Sequence, residues 1–97
     1  MALKVRLTQN ELEVLKAIDS SEYGDNLNDP VWSFTIADNS KLEKTSIPGI
    51  CSSLSKKGLV SCTEYEENQN TIAITKKGIE AYVAAVGKEN IKKTILG

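Results

Sequence analysis

Lys44, Thr45, Ser46, Gly49, Ser52, Ser53, Lys56 and Lys57 are the residues of this chain whose types and spacing best suit chemistry, and that chemistry is the binding of an anion. Lysine ammonium groups pair with phosphate oxygens, and serine and threonine hydroxyls bond to phosphates or to base edges. On a helix turning about 100° per residue, Ile47, Ile50, Cys51 and Leu54 share the inner side. Thr45, Gly49, Ser52, Ser53 and Lys56 then face outward, with Lys44 before the helix and Lys57 on its flank. Gly49, having no side chain, lets a partner come close. A second polar group, Asn68, Gln69 and Asn70, stands at a tip between two strand-like runs. Side chains that read bases with two hydrogen bonds are missing from this face, which has no Arg, Asn or Gln, and Arg6 is the only arginine in the chain. Contacts to a phosphate backbone are therefore expected ahead of base-specific readout. Lys56 and Lys57 also stand where cations complement a helix C-terminus, so part of their role is structural.

Other chemistries find little support. Catalysis needs convergent groups with tuned proton affinities, and the chain has no histidine, no nucleophile elbow and no glycine-rich phosphate loop. Without a Cys-x-x-Cys or a carboxylate cluster, neither a metal nor another cofactor is expected. Cys51 and Cys62 read as reduced, packed thiols. Met1 to Arg6 contain no apolar run of signal-peptide or membrane-span length, so a cytoplasmic protein is the simplest expectation.

Charge is segregated. The 97 residues carry a net charge of −1, low for a nucleic-acid binder. Glu22 to Glu43 hold five acids and one base, whereas Lys44 to Thr63 hold three lysines and no acid. Glu64, Glu66 and Glu67 then reverse the sign at the hairpin, which discourages edge-to-edge sheet pairing. Lys76 and Lys77 fall at a helix start, where the dipole disfavours cations and a contact with an anion would help.

The elements that must position these groups can be read from caps and periodicity. Thr8-Gln9-Asn10-Glu11 has the form of a capping box, with Leu7 and Leu12 as its hydrophobic staple. It predicts a helix from Gln9 to about Ser20 that buries Leu12, Val14, Leu15 and Ile18. Residues 21–30 read as an inert loop. Val31 to Ser33 reads as a short strand, followed by a helix from Thr35, as cap, to about Leu42, with Trp32 and Phe34 in the core. Ser46 is the expected cap of the next helix, Pro48 fits its first turn, and Lys56-Lys57-Gly58-Leu59 forms a Schellman-type stop. Strands over Leu59–Thr63 and Thr71–Ile74 flank the polar tip Glu66–Asn70. A last helix follows Thr75 with Ile79, Tyr82, Val83 and Val86 inward, and Gly87 ends it. Ile91, Ile95 and Leu96 suggest a further short helix that packs on the first or meets a second copy.

With elements in this order the chain resembles the winged-helix superfamily, and most closely the MarR-like bacterial regulators. The residues that carry the resemblance are Leu7-Thr8-Gln9-Asn10-Glu11-Leu12-Glu13-Val14-Leu15, Ser53-Leu54-Ser55-Lys56-Lys57-Gly58-Leu59-Val60 and Ile74-Thr75-Lys76-Lys77-Gly78. It implies an α+β winged helix-turn-helix: a three-helix core, a β-hairpin wing and a C-terminal helix. Residues 1–87 would form the winged-helix domain, and 88–97 a short tail or helix. The resemblance also implies a small transcriptional regulator that binds double-stranded DNA through Lys44, Thr45, Ser46, Gly49, Ser52, Ser53, Lys56, Lys57, Asn68, Gln69 and Asn70. A homodimer is a further expectation. The chain departs from the family at the wing, which lacks the usual arginine, and at its short termini, in the manner of phage and mobile-element versions. An interaction module that binds a protein of the transcription machinery, and not DNA, is the alternative.

Overall fold

Thr8 starts the first helix as its spacing predicts. In the computed structural model, which describes residues 7–22, 24–66 and 69–94 and only the backbone of Lys44, Tyr65, Glu66 and Gln69, α1 runs Gln9–Ser20. The Glu11 backbone N–H donates to Thr8 Oγ1 at 3.1 Å, and the Thr8 N–H donates to Glu11 Oε1 at 2.8 Å, so both halves of the capping box form. Val14, Leu15, Ala17 and Ile18 are buried, and Leu12 is only half-buried. Two acids on the same helix, Glu11 and Asp19, are also buried. Apolar spacing alone misses them.

The loop expected to be inert carries a core residue. Leu27 is fully buried, and its N–H donates to the Thr94 carbonyl at 2.8 Å while the Thr94 N–H donates to Asp25. Asp19 completes this anchorage from the end of α1. It accepts hydrogen bonds from the Tyr82 hydroxyl at 3.0 Å and from the backbone N–H groups of Lys92 and Lys93. The C-terminal segment is thus a 3-10 turn, Lys88–Asn90, followed by extended chain, with Ile91 half-buried against the core. The expected short helix does not form at Ile91, and Ile95 and Leu96 lie outside the described residues.

Strand β1 is Val31–Trp32, and α2 is Ser33–Asn39. The helix starts ahead of Thr35 and stops before Leu42, and Thr35 and Ile36 are buried within it. Thr35 is therefore not a cap, and Trp32 precedes the helix without a side-chain cap bond. Trp32 and Phe34 do not fill the core either. Neighbouring strand residues point to opposite faces, so burying Val31 turns Trp32 away. Phe34 is 42% exposed and stacks on Trp32, with ring centroids 5.9 Å apart.

A 3-10 turn, Lys44–Ser46, leads into α3, Ile47–Lys56. Ser46 already has a helical backbone, so its hydroxyl does not cap the helix as expected. Pro48 sits in the first turn. Ile47, Cys51 and Leu54 are buried and Ile50 is half-buried, so the inner side is the one predicted. The stop is a complete Schellman motif: Gly58 has φ +76°, its N–H donates to Ser55, and the Leu59 N–H donates to Leu54.

Strands β2, Val60–Glu66, and β3, Gln69–Ile74, form an antiparallel hairpin, and β1 pairs with the free side of β3. Val60 faces Ile74, Cys62 faces Ile72 and Glu64 faces Asn70, with an irregularity between Glu64 and Glu66. Both strands reach into the stretch expected to be tip, because the ladder continues past the core through polar residues. Cys51 is packed, and burial raises its thiol to about 12. Cys62 is exposed, against expectation: it lies opposite the buried Ile72, but on β2, which is an edge of the sheet.

Helix α4, Lys76–Val86, begins at Thr75, whose Oγ1 accepts from the Gly78 N–H and donates to the Gly58 carbonyl at 2.7 Å. Gly78 is where α4 touches the turn after α3. A Cβ there would run into the Leu59 carbonyl oxygen and stand 2.8 Å from Ile74 Cγ2. Gly78→Ala is therefore expected to cost about 3 kcal/mol, the upper range for overpacking, as read by urea melts; a stability equal to wild type would contradict the close packing. Asp19→Ala leaves a buried hydroxyl and two N–H groups unmatched. It should cost at least about 2 kcal/mol and speed amide hydrogen exchange at Lys92 and Lys93.

Candidate nucleic-acid interface

Helix α3 presents Thr45, Ser46, Pro48, Gly49, Ser52, Ser55 and Lys56 to solvent, counting the turn before it. A Cβ at Gly49 would meet nothing within 4 Å, so the middle of this face is open. No acid lies on it. Lys44 opens the 3-10 turn at its entrance. At its other end, the Thr75 to Gly58 hydrogen bond joins the start of α4 to the α3 stop. The exposed Lys77 side chain lies over Gly58 there, about 3.9 Å from the point a Cβ would occupy.

Two predicted contacts turn elsewhere. Ser53 Oγ donates to Glu11 Oε2 at 2.7 Å, and Lys57 Nζ donates to Glu11 Oε1 at 2.7 Å. Both residues are half-buried and face α1, which corrects the outward position expected of Ser53 and the free phosphate contact expected of Lys57 on the flank. The cause is Glu11. Its carboxylate is 1% exposed and must have donors, and the Thr8 N–H alone leaves it short. Burial acts to raise the Glu11 carboxyl, but hydrogen bonds from Lys57, the Thr8 backbone and Ser53, with the charge of Lys57, outweigh it. The group therefore titrates below its ordinary 4.5. The spacing Thr8-x-x-Glu11 reveals the local half of this arrangement; the second half depends on how α1 and α3 pack.

At the wing, Gln69 and Asn70 are strand residues, and Asn68 lies outside the described residues. Asn70 is half-buried, and its Oδ1 is shielded without a hydrogen-bond donor among the described residues. Glu64, opposite it, is exposed and keeps the described part of the wing acidic. Among the described residues no group of His, Cys, Asp or Glu is arranged to hold a metal ion, and no helix is long and apolar enough to cross a membrane.

A helix-turn-helix formed by α2 and α3, followed by a β-hairpin and a further helix, is a winged helix, and solved structures share it. BpsR of Bordetella bronchiseptica, whose DNA binding is regulated by 6-hydroxynicotinic acid, superposes with a TM-score of 0.67 at 13% identity, over 86% of this chain and 55% of BpsR. NMB1585, a MarR family regulator from Neisseria meningitidis, gives 0.61 at 22% identity, over 86% and 54%. The hsRosR-S4 complex gives 0.63 at 19% identity, over 82% and 68%. The chain thus spans about half the length of BpsR and of NMB1585. No protein-family model and no curated protein matches the sequence. The chain has the fold of MarR-like winged-helix regulators.

Glu11 also sets an acid dependence. A carboxyl lowered by folding stabilises the protein above its unfolded-state value, and that contribution is lost as pH falls through the folded one. Wild-type stability should therefore drop more steeply below about pH 4.5 than that of Glu11→Gln. Denaturant melts from pH 6 to 3 compare the slopes, and parallel slopes would mean that Glu11 is not held as a carboxylate.

Proposed function

We propose that the protein is a small winged-helix transcription regulator that binds double-stranded DNA with α3 in the major groove. The observation that carries this reading is the outer face of α3: exposed, free of acid, open at Gly49 and ending in Lys56. Lys44, Lys56 and Lys77 are the cations that would meet phosphates. Thr45, Ser46 and Ser52 would lie along the groove, and contacts from the wing would fall to Asn68, Gln69 and Asn70. Ser53 and Lys57 are left out of this set because Glu11 holds them. The same fold in BpsR, a protein whose DNA binding is regulated by a small molecule, supports the assignment. The reading includes a homodimer acting in the cytoplasm, in which two copies of α3 would reach successive turns of the duplex. It makes the protein a regulator and not an enzyme.

One observation favours a protein partner instead. Phe34, exposed and stacked on Trp32, gives an aromatic surface to which an apolar partner could bind. A partner in the transcription machinery would then be met there or on the acidic wing.

A salt titration decides between them. With few phosphate contacts, affinity for any duplex should be modest, and each contact contributes about 0.9 to the slope of log K against log salt. Lys56→Ala should lower that slope by about 0.9 and weaken binding to all sequences alike. Glu64→Gln should tighten binding by removing a charge that repels the backbone. Absence of binding at low salt, or indifference to Lys56→Ala, would overturn the DNA reading.

A further inference from the structure

Lys56 and Lys57 are adjacent in sequence, yet the fold uses them differently. Ser52 and Lys56 are four residues apart on the outer face of α3, whereas Ser53 and Lys57 are four apart on the face turned to α1. The second pair converges on the two oxygens of one buried carboxylate, Glu11, which also accepts from the Thr8 backbone N–H. An ammonium, a hydroxyl and a backbone amide around one anion are the kinds of donor that DNA-binding proteins bring to a phosphate. We infer that Glu11 is a positioning residue: it occupies Ser53 and Lys57 as an internal substitute for a phosphate, fixes the rotation of α3, and withholds the Lys57 charge from DNA.

The geometry explains why rotation is fixed. Glu11 grips α3 at two successive turns, one oxygen to each. Turning α3 by one residue, about 100°, would break both bonds and leave a buried carboxylate without its cation. The outer row Thr45, Gly49, Ser52 and Lys56 keeps its aim because the inner row is held. The inference rests on the DNA reading for what the outer row does, but not for the Glu11 clamp itself.

Two measurements test it. In the free wild-type protein, competitive acetylation with acetic anhydride, read by mass spectrometry, should modify Lys57 several-fold more slowly than Lys56. Glu11→Gln should narrow the difference, since glutamine still completes the capping box but does not carry the charge that pairs with Lys57. Equal rates in the wild type would overturn the clamp. In anisotropy titrations with a labelled duplex, Lys57→Gln should leave the salt slope unchanged, while Lys56→Gln lowers it by about 0.9 and Glu11→Gln raises it by up to about 0.9. A loss of slope in Lys57→Gln as large as in Lys56→Gln would overturn the withheld charge. Complete absence of duplex binding would instead sink the DNA reading, and the acetylation rates would still decide whether Glu11 holds Lys57.

Discussion

The three elements that define the wing side of this fold meet at the Leu59 carbonyl. It accepts a hydrogen bond from the Thr75 N–H, while the Thr75 hydroxyl donates to the neighbouring Gly58 carbonyl and accepts from Gly78. The end of α3, the base of the hairpin and the start of α4 are thus joined at one point. That junction needs two glycines for different reasons. Gly58 takes a left-handed backbone so that α3 can stop within one residue, and Gly78 has no Cβ so that α4 can lie against the carbonyl. The direction in which the hairpin leaves α3 follows from this joint.

Two buried acids on α1 do the corresponding work on the other side. Glu11, near the start of the helix, collects donors from α3; Asp19, near its end, collects them from α4 and the C-terminal segment. Each is affordable only because it is fully hydrogen-bonded, since a buried charge without partners would cost far more than a lost contact. Around Tyr82, burial first and then Asp19 push the phenol well above its ordinary range, so it remains a neutral donor. Helix α1 therefore orients both α3 and the segment around Lys92 and Lys93 through polar bonds, while its apolar face contributes to the core.

What could be read from the sequence was what is written locally. The Thr8–Glu11 box, the Gly58 stop and the start of α4 after Thr75 are each written within a few residues, and each formed as expected. The inner side of α3 was legible because its period is regular. Errors came where tertiary packing chose between local options. Val31 and Ile36 both had to be buried, and this moved the start of α2 and sent Trp32 and Phe34 outward. Leu27 sits alone among polar loop residues, so no periodicity announces that it is core. Ser53 and Lys57 looked like groove residues because nothing local reveals that the capping-box glutamate faces them from 42 and 46 residues away.

On the proposed DNA reading, this redistribution changes what kind of contact the surface would make. Removing Ser53 and Lys57 leaves an outer row of small side chains, with one described cation, Lys56, at its far end. Small side chains let the helix backbone approach closely, but they offer few hydrogen bonds to base edges and no bidentate pair. If the protein binds DNA as proposed, affinity from such a face would come mainly from phosphates, and specificity from how well the shape of a duplex fits α3 and the hairpin together. Two polar side chains at α3 are committed to an internal carboxylate, which holds α3 against α1 in place of contacts those groups could make with a partner.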